Sequence, residues 1–279
     1  MAAAAVPDDW AGDRGVRWLR DVDVMEAMLA PIGEAVLAQA SYGPGERVLD
    51  IGCGGGWTSR AIGEAVGGGG LAVGLDISPE LVTEAGRRAA HLPQVRFLAG
   101  DAAAAVPDDA PFGRIFSRFG VMFFGDPPAA FAHLASLLEP GARLDMAVWA
   151  NPKWNPWMME MRRVVGTHVE LPSPEPLAPG PFQLADPDYH TTVLEGAGFV
   201  EVARTLLELP LPLAGPGSTP EQAAAFALGA FSVGEVAAEA GADVLAAVTA
   251  DLEALYRGAV TPAGVTMPAA VWLLSARKG

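Results

Sequence analysis

The segment Val48-Leu49-Asp50-Ile51-Gly52-Cys53-Gly54-Gly55-Gly56-Trp57 runs an apolar strand straight into a glycine turn, with a carboxylate two residues before the first glycine. Glycine at 52, 54 and 56 admits left-handed backbone and removes the β-carbons that would keep a ligand away from the main chain. Such a turn handles a nucleotide. Because strand-glycine-helix turns serve many cofactors, its meaning depends on the residues placed downstream at the right distance. The run Leu71-Ala72-Val73-Gly74-Leu75-Asp76-Ile77-Ser78 reads as a second buried strand. Its acid, Asp76, falls roughly 20 positions past the turn, where a carboxylate commonly meets a ribose. Val95-Arg96-Phe97-Leu98-Ala99-Gly100-Asp101-Ala102 reads as a third strand ending in another carboxylate.

Three acidic strand ends behind a Gly52-x-Gly54-x-Gly56 turn resemble the class I S-adenosylmethionine-dependent methyltransferases. The resemblance covers Pro44 to Trp149. It takes in Ile115 to Phe124 as a fourth strand with its active-site loop, and Leu138 to Leu144 as the start of the fifth. A nicotinamide-binding dehydrogenase shares the turn and the acid after the second strand. Its G-x-G-x-x-G pattern needs glycine at position 57, where this chain has Trp, and Asp101 has no counterpart in it.

The resemblance implies an α/β fold: a Rossmann-like, mostly parallel seven-stranded sheet with helices on both faces and helical insertions in the C-terminal half. Residues 1–43 would form a helical arm over the cofactor and residues 44–279 the methyltransferase domain. Substrate-cover insertions are expected at about 151–195 and 212–262. Carried over position by position, Gly52, Cys53 and Gly54 would lie along the methionine part of S-adenosylmethionine. Asp76 would accept both ribose hydroxyls, beside Ile77; Asp101 would receive the adenine amino group, and the Ala102 amide would donate to a ring nitrogen. Asp50 would hold the turn or reach the cofactor's ammonium through a water. Ser117 and Phe119, at the end of the fourth strand, complete the expected cofactor contacts. Each acid has a plain alternative role, capping the helix that follows its strand.

Composition narrows the partners. A formal charge of −15 disfavours nucleic acid, whose phosphates are neutralised by Lys and Arg. The 51% hydrophobic content belongs to a globular core. A single cysteine excludes an intrachain disulfide framework and a cysteine metal cluster, and fits a cytoplasmic location. Met1 to Asp9 lacks the basic start of a secretory signal. The Ala-rich stretch from Ala223 to Ala247 is interrupted by Glu235, Glu239 and Asp243, so no membrane-spanning helix is expected. Cys53, in a glycine loop near a helix start, could be imagined as a nucleophile, but no adjacent base accompanies it.

Along the chain, apolar spacing predicts a helix over Val24 to Leu37, preceded by Trp10 and Trp18. The resemblance implies that this arm folds over the cofactor, with Trp18 touching it; the alternative is that either Trp plugs the sheet edge. A helix over Thr58 to Val66 should face the sheet with Ile62, Ala65 and Val66. Another opens at Asp126-Pro127, carries Phe131, Leu134, Leu137 and Leu138, and stops at Pro140-Gly141, with His133 on its solvated side. A helix holding Trp154, Trp157, Met158, Met161, Val165 and His168 is followed by a loop, Leu171 to Pro187, with six prolines. Further helices start at Asp186 and at Ser218-Thr219-Pro220-Glu221, with strands over Val200 to Leu207 and Ala270 to Arg277.

The resemblance also places Met122, Phe123, Trp154 and Trp157 around the methyl acceptor, a small apolar or aromatic molecule, although a Trp and Met stripe equally suits a core. Methyl transfer from a sulfonium is an in-line displacement that needs mainly alignment and desolvation. A base matters only for a protonated acceptor. His168 and His190 are the histidine candidates, each with a structural reading beside it. No acidic metal triad is visible, so metal independence is expected. The other function class left open is a cofactor-binding scaffold that does no methylation.

Overall fold

The computed structural model describes residues 10–173 and 175–279; Met1 to Asp9 and Pro174 of the proline-rich loop lie outside the described residues. Two helices, α1 (Asp13–Arg20) and α2 (Val22–Ala40), precede an alternation of strand and helix. This runs β1 (Arg47–Ile51), α3 (Trp57–Val66), β2 (Leu71–Asp76), α4 (Pro79–Arg88), β3 (Val95–Ala99), β4 (Phe112–Arg118), α5 (Pro127–Ser136), β5 (Leu138–Trp149). The second half continues with α6 (Pro156–Val165), α7 (Pro187–Gly196) and β6 (Phe199–Pro212). It closes with α8 (Pro220–Ala230), α9 (Ser232–Glu239), α10 (Ala242–Arg257), β7 (Val260–Thr261) and β8 (Gly264–Lys278).

Seven strands lie side by side in the order β3-β2-β1-β4-β5-β8-β6, and two-residue β7 pairs with β8 off that path. The first five are parallel; β8 runs antiparallel to both β5 and β6. Burial explains the central strands: every residue of β2 is buried, as expected for a parallel strand covered on both faces. β3, at the edge, is only partly covered. Strand order reverses between β1 and β4, which in open α/β sheets marks the crevice where ligands bind beyond the carboxyl ends.

Several boundaries differ from the sequence expectation. In α3 the inward stripe is Ser59, Ile62, Gly63 and Val66, whereas Ala65 is exposed. Gly63 is needed because a β-carbon there would lie 2.2 Å from Val95. The helix from Asp126 stops at Ser136, not at Pro140-Gly141, because Leu138 already pairs with Phe112 as the first residue of β5. The register then jumps to Arg114 opposite Arg143, and Pro140-Gly141 sits within that bulge. Trp154 belongs to a separate 3-10 turn (Pro152–Trp154), and His168 lies beyond the end of α6. Strand β6 extends from Phe199 to Pro212, well past Leu207, because it pairs along β8 as far as Pro212 opposite Thr266. Among the described residues no helix is long and apolar enough to cross a membrane.

Candidate cofactor and acceptor site

At the switch point the end of β1 meets the end of β4 through two bare glycines. A β-carbon on Gly52, whose φ is +67°, would lie 2.5 Å from Gly120 Cα, and one on Gly120 would lie 2.6 Å from the Ile51 carbonyl. Gly54 and Gly56 are also left-handed, at +53° and +80°, and Gly56 opens α3. The turn is tied sideways to β2: Gly52 N–H donates to Leu75 O at 2.8 Å, and Gly54 N–H donates to Asp76 Oδ2 at 2.8 Å.

Asp76 is buried, and its other oxygen accepts Ser78 N–H at 3.0 Å. Burial pushes its pKa up, and the Ser78, Gly54 and Ile77 amides pull the other way. The cap of α4 is Ser78, whose hydroxyl accepts the Leu81 N–H. Asp76 is therefore not the helix cap; each of its oxygens retains a further lone pair for a donor from outside. Ile77 beside it is 41% exposed, an apolar face at a polar rim.

Asp101 is exposed, and one oxygen accepts Ala103 N–H at 2.9 Å within a tight turn over Asp101 to Ala105. This bond closes a turn and is not the helix cap the sequence left open, since β3 is followed by β4 with no helix between them. Ala102 is half-buried in that turn. His133, expected on a solvated face, instead pins the turn: its Nε2 lies 2.9 Å from the Ala105 carbonyl.

Asp50 holds the opening of α3. Its Oδ2 accepts the Thr58 and Ser59 hydroxyls at 2.6 Å each, while Oδ1 is buried and has no partner among the described residues. Burial, opposed by those hydroxyls, raises its pKa to about 6. Cys53 is buried, and desolvation pushes its thiol well above the ordinary range, which removes the nucleophile reading. Ser117 is fully buried and donates its hydroxyl to Ile51 O at 2.9 Å, so its side chain ties β4 to β1.

Beyond β4, Phe119 adopts φ +70°, a left-handed conformation that costs a bulky residue roughly 1–3 kcal/mol. It is held by N–H donation to Ala147 O at 3.0 Å and by stacking on Trp149, ring centres 4.4 Å apart. The aromatic chain continues from Trp149 to Trp157 at 5.1 Å and from Trp157 to Phe231 at 5.7 Å, linking the strand ends to the junction of α8 and α9. Met122 is buried under this chain, its sulfur 3.5 Å from the Trp149 amide. On the other side Phe123 packs against Trp10 at 5.0 Å and Trp10 against Trp18 at 5.3 Å. The indole nitrogen of Trp18 lies 3.7 Å from where a Gly54 β-carbon would stand. Both Trp residues of the arm therefore gather at the glycine turn and the loop after β4.

Other expected residues lie elsewhere. Trp154 is 46% exposed and packs on Trp272. His168 bonds Asp251 of α10 at 2.8 Å, beyond the end of α6 opposite to Trp157. His190 is fully buried, its Nδ1 3.1 Å from Leu184 O and its ring against Trp272; burial lowers its pKa. Neither histidine joins the acids at the strand ends by any of these contacts.

Other contributors carried no local signal. Glu26 and Val22 of α2 press on Gly55, each 2.6 Å from where its β-carbon would be, with Glu26 paired to Arg88 at 3.1 Å. Arg118 lies over the Trp57 ring at 5.2 Å. Gln183 of the proline-rich loop donates from Nε2 to the Phe124 and Leu177 carbonyls at 2.8 and 3.1 Å, and Gly180 N–H donates to Met122 O. That loop thereby clamps the segment after β4.

A Rossmann-like α/β sheet with an acid-flanked glycine turn at its switch point defines a nucleotide-cofactor fold of the methyltransferase class. Comparison with known proteins agrees. Residues 48–141 match the family described as "Methyltransferase domain". An uncharacterised protein of Mycobacterium tuberculosis is 29% identical over 187 residues, covering 66% of this chain and 65% of that protein. The nocamycin O-methyltransferase of Saccharothrix syringae is 30% identical over 193 residues, covering 65% of this chain and 69% of the enzyme. The phosphoethanolamine N-methyltransferase 2 of Haemonchus contortus, solved with S-adenosyl-L-methionine, superposes with a TM-score of 0.57 at 14% identity, covering 99% of this chain and 60% of that one. The chain belongs to the S-adenosylmethionine-dependent methyltransferases.

Proposed function

We propose that this protein moves a methyl group from S-adenosylmethionine to a small apolar or aromatic molecule without a metal. The observation that carries the reading is the convergence of Gly52, Gly54, Asp76 and the Trp18 indole at the ends of β1 and β2, with Asp101 at the neighbouring strand end. Burial leaves Asp76 short of water, and two ribose hydroxyls supply what its spare lone pairs lack. Exposed Ile77 offers the adenine an apolar face, and Asp101 receives its amino group. The methionine end lies along Gly52 to Gly54, with Asp50 bracing the turn from below through Thr58 and Ser59.

When bound, the cofactor supplies an activated methyl on a sulfonium. The protein's part is to align the acceptor with it and keep water out. The half-buried Phe123 offers an apolar face for that purpose, backed by the buried Phe119–Trp149–Trp157 chain, with residues 10–43 as the lid over the cofactor and α8 to α10 as cover for the acceptor. The nocamycin enzyme's name, for O-methylation of a small molecule, points the same way. Incubation with S-adenosylmethionine and a panel of aromatic phenols, amines and quinols should yield S-adenosylhomocysteine and a product heavier by one methylene. Tight cofactor binding with no turnover anywhere in the panel would favour a non-methylating scaffold.

A further inference from the structure

Helix α1 touches both halves of the molecule. On the cofactor side Gly15 lies directly on Ser78, two residues past Asp76: a β-carbon there would be 2.6 Å from the Ser78 hydroxyl. Three residues on, Trp18 lies over Gly54. On the cover side Arg17 forms an ion pair with Glu235 of α9, and Arg20 donates to the Gly229 carbonyl of α8 at 2.8 Å.

The cover is shaped to reach α1. At the junction of α8 and α9 a β-carbon on buried Gly234 would lie 1.8 Å from the Leu228 carbonyl, so only glycine lets α9 start so close against the end of α8. The next residue is Glu235. The Arg20 guanidinium lies close over Gly229, 2.9 Å from where a β-carbon would stand.

Resting on the reading that the cofactor occupies the Gly54 and Asp76 rim, we propose that Arg17 and Glu235 form a latch through which the acceptor cover controls cofactor release. Both act as positioning residues, by way of Trp18. A ligand held under Trp18 cannot leave while Gly15 rests on Ser78, and lifting α1 breaks the Arg17–Glu235 and Arg20–Gly229 contacts together. Anything that orders α8 and α9 therefore slows cofactor loss; to the extent that it also tightens cofactor affinity, linkage makes the bound cofactor order the cover in return.

The test is stopped-flow release of S-adenosylhomocysteine from the wild type, Arg17→Gln, Glu235→Gln and the double variant, with Asp76→Asn as a separate arm. The ion pair is partly exposed, so each single change should speed release about two- to fivefold. The double variant should be no faster than either single one, and salt at about 0.5 M should accelerate the wild type but not the double variant. Release rates unchanged in both single variants, or multiplying in the double, would overturn the latch while leaving the cofactor site standing. A wild type that does not bind S-adenosylhomocysteine, or an Asp76→Asn variant that binds it as well as the wild type does, would instead remove the site on which the latch depends.

Discussion

Asp50 and Asp76 are both buried carboxylates, yet their surroundings give them different work. Asp76 has a backbone amide on each oxygen and faces the rim, so on the proposed reading its loss should be felt in cofactor affinity. Hydrogen bonds to a charged acceptor contribute about 1.5–3 kcal/mol, so Asp76→Asn should weaken S-adenosylhomocysteine binding in a calorimetric titration by roughly 10- to 100-fold. Asp50 has one oxygen satisfied and one stranded, and its pKa is raised to about 6. A carboxyl protonated more readily when folded contributes stability that is fully present below its unfolded pKa near 3.8 and is lost as pH rises through about 6. Ligand-free protein should thus lose on the order of 3 kcal/mol from this group between pH 4 and pH 7, and Asp50→Asn should flatten that slope in urea titrations. His190 works oppositely: burial favours its neutral form, so its contribution weakens as pH falls below the unfolded value near 6.5. His190→Asn, which keeps a donor for Leu184 O, should remove that acid-side loss.

Among the elements, the glycine turn is the least tolerant. Gly52→Ala adds a β-carbon 2.5 Å from Gly120 Cα at a positive φ, with backbone on both sides and nothing able to yield. We expect a loss of about 3 kcal/mol or more in urea unfolding. Gly68→Ala, in an open linker where a β-carbon meets nothing within 4 Å, should change stability by less than about 0.5 kcal/mol. The turn was legible because its requirement is local: strand, bare backbone and acids at fixed distances are all written in order along the chain. Boundaries set by pairing were not legible. Leu137 and Leu138 continue the helical spacing of Phe131 and Leu134, and only the demand of Phe112 for a partner turns Leu138 into strand. Trp154 fell out of the expected stripe because Asn151 caps a separate turn at Lys153. Glu26 on Gly55, Gln183 on Phe124 and Glu235 on Arg17 join residues far apart in sequence, and nothing periodic announces such meetings.

At the scale of the whole molecule, the sheet sets three strand ends and a turn at one rim, and the two flanking additions, the arm and the α8 to α10 cover, meet above it through Arg17 and Arg20. A ligand that binds only the folded protein raises its melting temperature. Saturating S-adenosylhomocysteine should therefore raise it by several degrees, and NAD should leave it unchanged. On the proposed reading the glycine turn, Asp76 and Asp101 grip one adenosyl cofactor, and a crystal structure of the complex with S-adenosylhomocysteine puts that grip to the test without intermediaries. Ribose hydroxyls should lie within hydrogen-bond distance of Asp76, the adenine beside Ile77 and Asp101, and the amino-acid tail along Gly52 to Gly54 beneath Trp18. Density for the ligand away from Asp76, or an adenine remote from Asp101, would contradict it.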